Sequence, residues 1–201
     1  MRAMNNGGLR NMKSKVLFVN ACVRKNSRTK RIADYLLLKL NVEITEVKTA
    51  DISFPAVDEA FLKKRDSLIA SSSFDDPLFE QARLFADADE IVIAAPYWDM
   101  SFPASLKQYI EQINVLGVTF SYTSEGTPRG LCKAKRLYYV TAAGGTFVPE
   151  DYGFGYVKTL AQSFYGIPEV KLIQAAGLDI YGADEEQIVR KVMDDIDGIV
   201  G

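Results

Sequence analysis

Short apolar runs of strand length alternate along this chain with longer stretches of helical period, and that alternation restricts the fold more than any other feature. Ile91-Val92-Ile93-Ala94-Ala95 has no polar face at all, as a strand covered on both sides in a parallel sheet requires. Lys15-Val16-Leu17-Phe18-Val19-Asn20-Ala21 reads the same way and closes on a polar turn. Residues 42–47 alternate as a second strand, Leu137-Tyr138-Tyr139-Val140-Thr141 is a fourth, and residues 170–176 are a fifth. Between them lie helices. Ser27 is a good N-cap for residues 29–40, with an apolar stripe at Ile32, Tyr35, Leu36 and Leu40. Helical pieces follow at 57–70 and 77–88, joined by Ser71-Ser72-Ser73, then at 103–113, 156–164 and 184–196. Residues 118–123 read as a short exposed strand before a turn at 126–130. With no internal repeat and no linker-like break, the expectation is α/β: one doubly wound five-stranded parallel sheet in a single domain over residues 15–201. Residues 1–14 are polar without an apolar core, so they read as a disordered leader rather than a signal peptide, and Met12 is an alternative start.

Absences narrow the chemistry. The chain has no histidine, which removes Ser-His-Asp and Cys-His catalysis and the usual zinc and haem ligand sets; no metal site is expected. No glycine stands between Gly8 and Gly117, so the first hundred-odd residues hold neither a G-x-G-x-x-G turn nor a Walker loop. With 24 basic and 26 acidic residues there is no broad basic face for nucleic acid. No apolar run approaches the roughly 20 residues of a membrane helix. Two cysteines, Cys22 and Cys132, need no oxidising compartment, so the expected location is the cytoplasm.

Open parallel sheets bind ligands beyond the carboxyl ends of their strands. Three such ends are unusual here. Cys22 to Thr29 leads into a helix N-terminus, where free N–H groups attract anions; Ser27, Arg28 and Thr29 suit one phosphate there, or Ser27 merely caps while the cations are solvated. Pro96-Tyr97-Trp98-Asp99-Met100 is a stiff loop with the only tryptophan, suited to a flat conjugated ring or simply tucked onto the core. Ala142-Ala143-Gly144-Gly145 offers backbone N–H groups to a ligand edge, or is a plain turn. Together, and with no imidazole for proton chemistry, they describe a flavin mononucleotide (FMN) site fed by NADH or NADPH. Hydride transfer through a flavin needs no acid–base group of the protein's own.

These residues also carry a family likeness. From about residue 15 to 196 the chain resembles the FMN-dependent NADH-azoreductases, within the flavodoxin-like quinone reductases. The closest stretches are 91–96, Gly117 to Thr123 with Gly130-Leu131, Gly144-Gly145, and Tyr165-Gly166-Ile167-Pro168-Glu169-Val170-Lys171. The resemblance implies strand order 2-1-3-4-5, FMN, and a homodimer with sites at the interface. By position it puts the family's phosphate-binding serine on Cys22, its phosphate loop on Ser27-Arg28-Thr29, its ring loop on Tyr97-Trp98-Asp99-Met100, and its Ser-Arg-Gly-Gly segment on Ala142-Ala143-Gly144-Gly145. Cys22 is a weaker donor than serine, Ala142-Ala143 lack both polar side chains, and Asp99 stands where many relatives have asparagine.

The resulting expectation is a ping-pong, two-electron NAD(P)H oxidoreductase for quinones, with azo compounds as a further acceptor. Phe120, Tyr122 and Phe147 are the candidate substrate-pocket residues, and Tyr122 is the candidate proton donor. A phospho-receiver domain is excluded, because its clustered acids are replaced by Asn20-Ala21-Cys22 and Ala95-Pro96. The remaining alternatives are a flavodoxin-type electron carrier, usually shorter and more acidic, and a non-catalytic flavin-binding module.

Overall fold

The computed structural model describes residues 14–200. The leader therefore lies outside the described residues except for Ser14, which is no leader: its carbonyl accepts the Glu43 N–H at 3.3 Å at the sheet edge. The chain runs β1 (Lys15–Asn20), α1 (Arg28–Leu40), β2 (Glu43–Lys48), α2 (Glu59–Ala70), α3 (Glu80–Asp87), β3 (Glu90–Ala94), α4 (Ala104–Ile113), β4 (Phe120–Tyr122), β5 (Pro128–Gly130), β6 (Arg136–Ala142), α5 (Phe154–Leu160), β7 (Glu169–Ala175) and α6 (Glu185–Val200). Five strands form a parallel sheet in the order β2-β1-β3-β6-β7. That is the expected 2-1-3-4-5 order with β4 and β5 set aside, because these two pair only with each other, antiparallel.

Alternating side chains explain why the sheet is covered on both faces. Leu17 and Val19 of β1, Ile91 and Ile93 of β3, and Leu137 and Tyr139 of β6 pack with Phe85 of α3, with Leu106, Tyr109 and Ile113 of α4, and with Val157 of α5. Val16, Phe18, Val92, Ala94, Tyr138 and Val140 point the other way, onto Ile32 and Leu36 of α1 and Val189 and Ile196 of α6. The α1 stripe is Ile32, Ala33, Leu36 and Leu37, whereas the expected Tyr35 and Leu40 sit at its margin. Ser27 caps α1 as expected, its hydroxyl oxygen accepting the Lys30 N–H at 3.2 Å.

The hairpin corrects the sequence reading of residues 126–130 as a turn only. Pro128–Gly130 is its second strand, and Gly130 lies directly against the backbone of Tyr165 and Gly166. Those two residues end a π-helical turn, Ala161–Tyr165, that continues α5; Gly166 closes it at φ 74°. A Cβ on Gly130 would overlap main-chain atoms, which have no rotamer to yield. The Tyr165 hydroxyl donates to Asn114 Oδ1 at 2.7 Å, tying the same turn to the end of α4. Gly130→Ala is therefore expected to destabilise the fold by about 3 kcal/mol. A thermal melt unchanged from the parent would show that the hairpin does not need this close approach.

Candidate active site

Register brings the three unusual strand ends to one rim. Asn20 pairs with Ala94, and Ala94 with Val140, so β1 and β3 finish level and β6 runs two residues further. The ladder continues past their ends: Ala21 N–H donates to Ala94 O, Ala95 N–H to Val140 O, Tyr97 N–H to Ala142 O and Ala143 N–H to Ala175 O. The loops thus leave the sheet already fixed to it. Between them lies a cavity of about 190 Å³, lined by Ser27, Arg28 and Thr29, by Pro96, Tyr97 and Trp98, and by Ala142, Gly144 and Asp179, with Val23, Arg24 and Asn26 at its edge.

The phosphate-side residues meet the N-terminus of α1. Arg28 and Thr29 N–H open the helix and have no intrahelical acceptor, so the dipole and two donors face the cavity. Arg28 is not free: its guanidinium donates to Asp179 Oδ1 at 2.6 Å and to Glu185 Oε2 at 3.2 Å. Arg28 and nearby Arg24 hold the Asp179 carboxyl below the usual carboxylate range. Cys22, the other residue assigned to phosphate, does not line the cavity. Its thiol points to Ala94 O at 3.8 Å, its N–H donates to Asn20 Oδ1, and burial pushes its pKa up, so it stays protonated at neutral pH.

The ring-side loop is a two-residue turn. Trp98 N–H donates to Ser101 O at 3.1 Å and Ser101 N–H returns to Trp98 O at 2.8 Å. Asp99 and Met100 between them take φ of 49° and 67°, the signature of a type I′ turn. Asp tolerates the left-handed region; Met does so at a cost of roughly 1–2 kcal/mol. Trp98 borders the cavity on one side and, on the other, an aromatic groove with Asp99, Phe102, Tyr152 and Tyr156. Asp99 and Met100 are not on the cavity wall. Tyr97 lines it, and its hydroxyl is buried without a hydrogen-bond partner.

At the third end Ala142 and Gly144 line the cavity, Ala143 is buried behind it, and Gly145 lies off the wall. Gly144 has a reason beyond ligand approach: a Cβ there would overlap the Asp179 carboxylate. The Gly144 and Gly145 carbonyls accept from Asp179 and Gly177 N–H, each at 2.9 Å. Asp179 thus belongs to the site, although nothing local marks it in sequence.

The candidate substrate residues lie apart from this cavity. Phe120 is buried edge-on against Phe164, ring centroids 5.0 Å apart, and the exposed Tyr122 meets it at right angles, 5.5 Å away. Phe147 is 75% exposed.

Residues 14–199 match the family described as having a flavodoxin-like fold. The chain is 34% identical over 190 residues to the FMN-dependent NADH:quinone oxidoreductase of Clostridium beijerinckii, a match covering 90% of this chain and 95% of that one. Its counterpart in Clostridium perfringens is 35% identical over 189 residues, covering 89% and 93%. Among solved structures, the azoreductase from Bacillus anthracis str. Sterne matches with a TM-score of 0.81 at 22% identity, over 93% of this chain and 98% of that one. An FMN-dependent NADH-azoreductase from Bacillus anthracis str. Ames Ancestor, in complex with FMN, matches at 0.78 and 21% identity, over 93% and 97%. Sheet order, a rim cavity at the switch point and a match along almost all of the described residues converge: the chain belongs to the flavodoxin-like fold family, among the relatives of the FMN-dependent NADH:quinone oxidoreductases.

Proposed function

We propose that this protein is an FMN-dependent NAD(P)H:quinone oxidoreductase of the cytoplasm, acting as a homodimer by a ping-pong cycle, with azo compounds as a further acceptor class and no nucleic-acid or membrane partner. The observation that carries the reading is the convergence of all three strand-end segments on one cavity.

The residues present suit FMN. The α1 N-terminus with Ser27, Thr29 and Arg28 is an anion site; Pro96, Tyr97, Trp98, Ala142 and Gly144 form flat, weakly polar walls. The partnerless Tyr97 hydroxyl is a buried polar group that a bound ligand would satisfy. FMN, when bound, supplies reversible two-electron chemistry, accepting hydride from a nicotinamide and passing it on. Against that, the chain's residues bind, orient and exclude water. Donor and acceptor are both flat and both exchange electrons with the same ring, so a shared ring face would admit one of them at a time. The donor must leave before the acceptor enters, which is the ping-pong order. Tyr122, proposed to hand a proton to the acceptor, does not border the cavity of its own chain. Its role therefore needs the cavity of a second copy, and the homodimer is part of the proposal for that reason.

A flavodoxin-type carrier has the same fold and is the rival reading. Purified protein is expected to be yellow and to release FMN on denaturation. It should turn over NADH or NADPH with a quinone and no partner reductase, whereas a carrier would bind FMN without such turnover. A colourless protein that takes up no added FMN would overturn the reading.

Thr29→Val removes a hydroxyl while keeping the side chain's shape, and should weaken FMN by about 1.5–3 kcal/mol in a titration of the flavin-free protein. An unchanged dissociation constant would put the phosphate elsewhere.

Initial rates against both substrates should give parallel double-reciprocal lines; intersecting lines would reject the shared ring face. With no histidine, and with both thiols pushed up by burial, Cys132 to about 12, the rate should show no break near pH ~6.5. A titration centred there would require another ionising group at the site. Light scattering should give the dimer mass, and Tyr122→Phe should lower kcat without loosening FMN; a monomer with full activity would remove Tyr122 from the mechanism.

A further inference from the structure

Asp179 supplies the only carboxylate among the residues lining the rim cavity. It is held on three sides. Its N–H donates to Gly144 O, the neighbouring Leu178 N–H donates to Ala143 O at 3.3 Å, and its side chain lies in the space left by the missing Cβ of Gly144. From there both oxygens reach Arg28, at 2.6 and 3.4 Å. The other cations of the first turn are already committed, Lys30 to Asp34 and Arg31 to Glu186, which leaves Arg24 and Arg28 as the cations lining the cavity. Of these two, Arg28 is the one that belongs to the α1 N-terminus, and a carboxylate of the chain already holds it.

We infer that Asp179 is a specificity-determining residue that competes with the cofactor phosphate for Arg28, and so sets how strongly the site prefers a phosphorylated flavin over an unphosphorylated one. The inference rests on the FMN reading above. A phosphate dianion at the helix terminus meets favourable N–H groups and a guanidinium whose charge Asp179 and Glu185 have largely spent. Removing the Asp179 charge leaves Arg28 positioned by Glu185 but with charge to spare for phosphate. Riboflavin has the same ring and no phosphate, so it is indifferent to that change.

Flavin-free protein titrated with FMN and with riboflavin, at low ionic strength, tests this by flavin fluorescence. Asp179→Asn should bind FMN about fivefold more tightly, the size of one partly screened ion pair. Riboflavin affinity should stay as in the parent. Asp179→Ser, too short to bridge to Arg28, should reproduce the gain. The gain should fade toward 1 M salt, where the Debye length is about 3 Å, and should vanish when Arg28 is already Gln. FMN affinity that is unchanged or weaker in both variants would overturn the inference. So would an equal gain for riboflavin, or a gain that survives in the Arg28→Gln background. If the parent binds no flavin, the FMN reading fails by itself, and inorganic phosphate followed through the Arg28 and Thr29 amide resonances decides the matter: Asp179→Asn must then bind phosphate more tightly than the parent, and equal binding overturns the competition.

Discussion

The pairing of β3 between β1 and β6 is the constraint on which the rest of this protein depends. Because the three strands run parallel and stand in register at Asn20, Ala94 and Val140, the segments beyond them emerge side by side. Backbone hydrogen bonds carry the ladder onward to Ala95, Tyr97 and Ala143, so the rim is an extension of the sheet and not a set of free loops. A slip of one residue in this register would send Ile91 and Ile93 to the face that Val92 and Ala94 now occupy, breaking both cores at once. Site geometry and core packing are thus specified by the same bonds.

Much of that scaffold is legible in the sequence because strands buried on both faces advertise themselves. The run from Ile91 to Ala95 is continuous and apolar, and amphipathic helices flank it. Features depending on distant or main-chain partners are not legible. Pro128-Arg129-Gly130 looks like a turn, and only its antiparallel pairing with Phe120–Tyr122 makes it a strand, with Gly130 left free to approach the Tyr165 backbone. Asp179 and Arg28 are 151 positions apart, and an ion pair over that separation leaves no periodic trace. Gly144 was readable as a close-approach glycine, but the group that approaches it is a carboxylate of the chain. At Cys22, where the family has a hydroxyl, the thiol lies between Ala94 O and the α1 N-terminus at Ser27 and Lys30, off the cavity wall.

Charge around the rim is balanced rather than accumulated. Arg28 with Asp179 and Glu185, Arg31 with Glu186, and Lys30 with Asp34 cancel most of the basic character of the first turn of α1. A helix terminus surrounded by uncompensated cations would collect any small anion, whereas here each first-turn cation already has a carboxylate partner.

The turn from Trp98 to Ser101 has one more consequence. It is closed by two hydrogen bonds and sits between two concavities, so its indole is a rigid partition with a different surface on each side. The chain contains no other tryptophan. Ultraviolet emission excited beyond the tyrosine absorption is therefore the optical signal of a single wall, and a change in its colour or intensity reports on events at that partition.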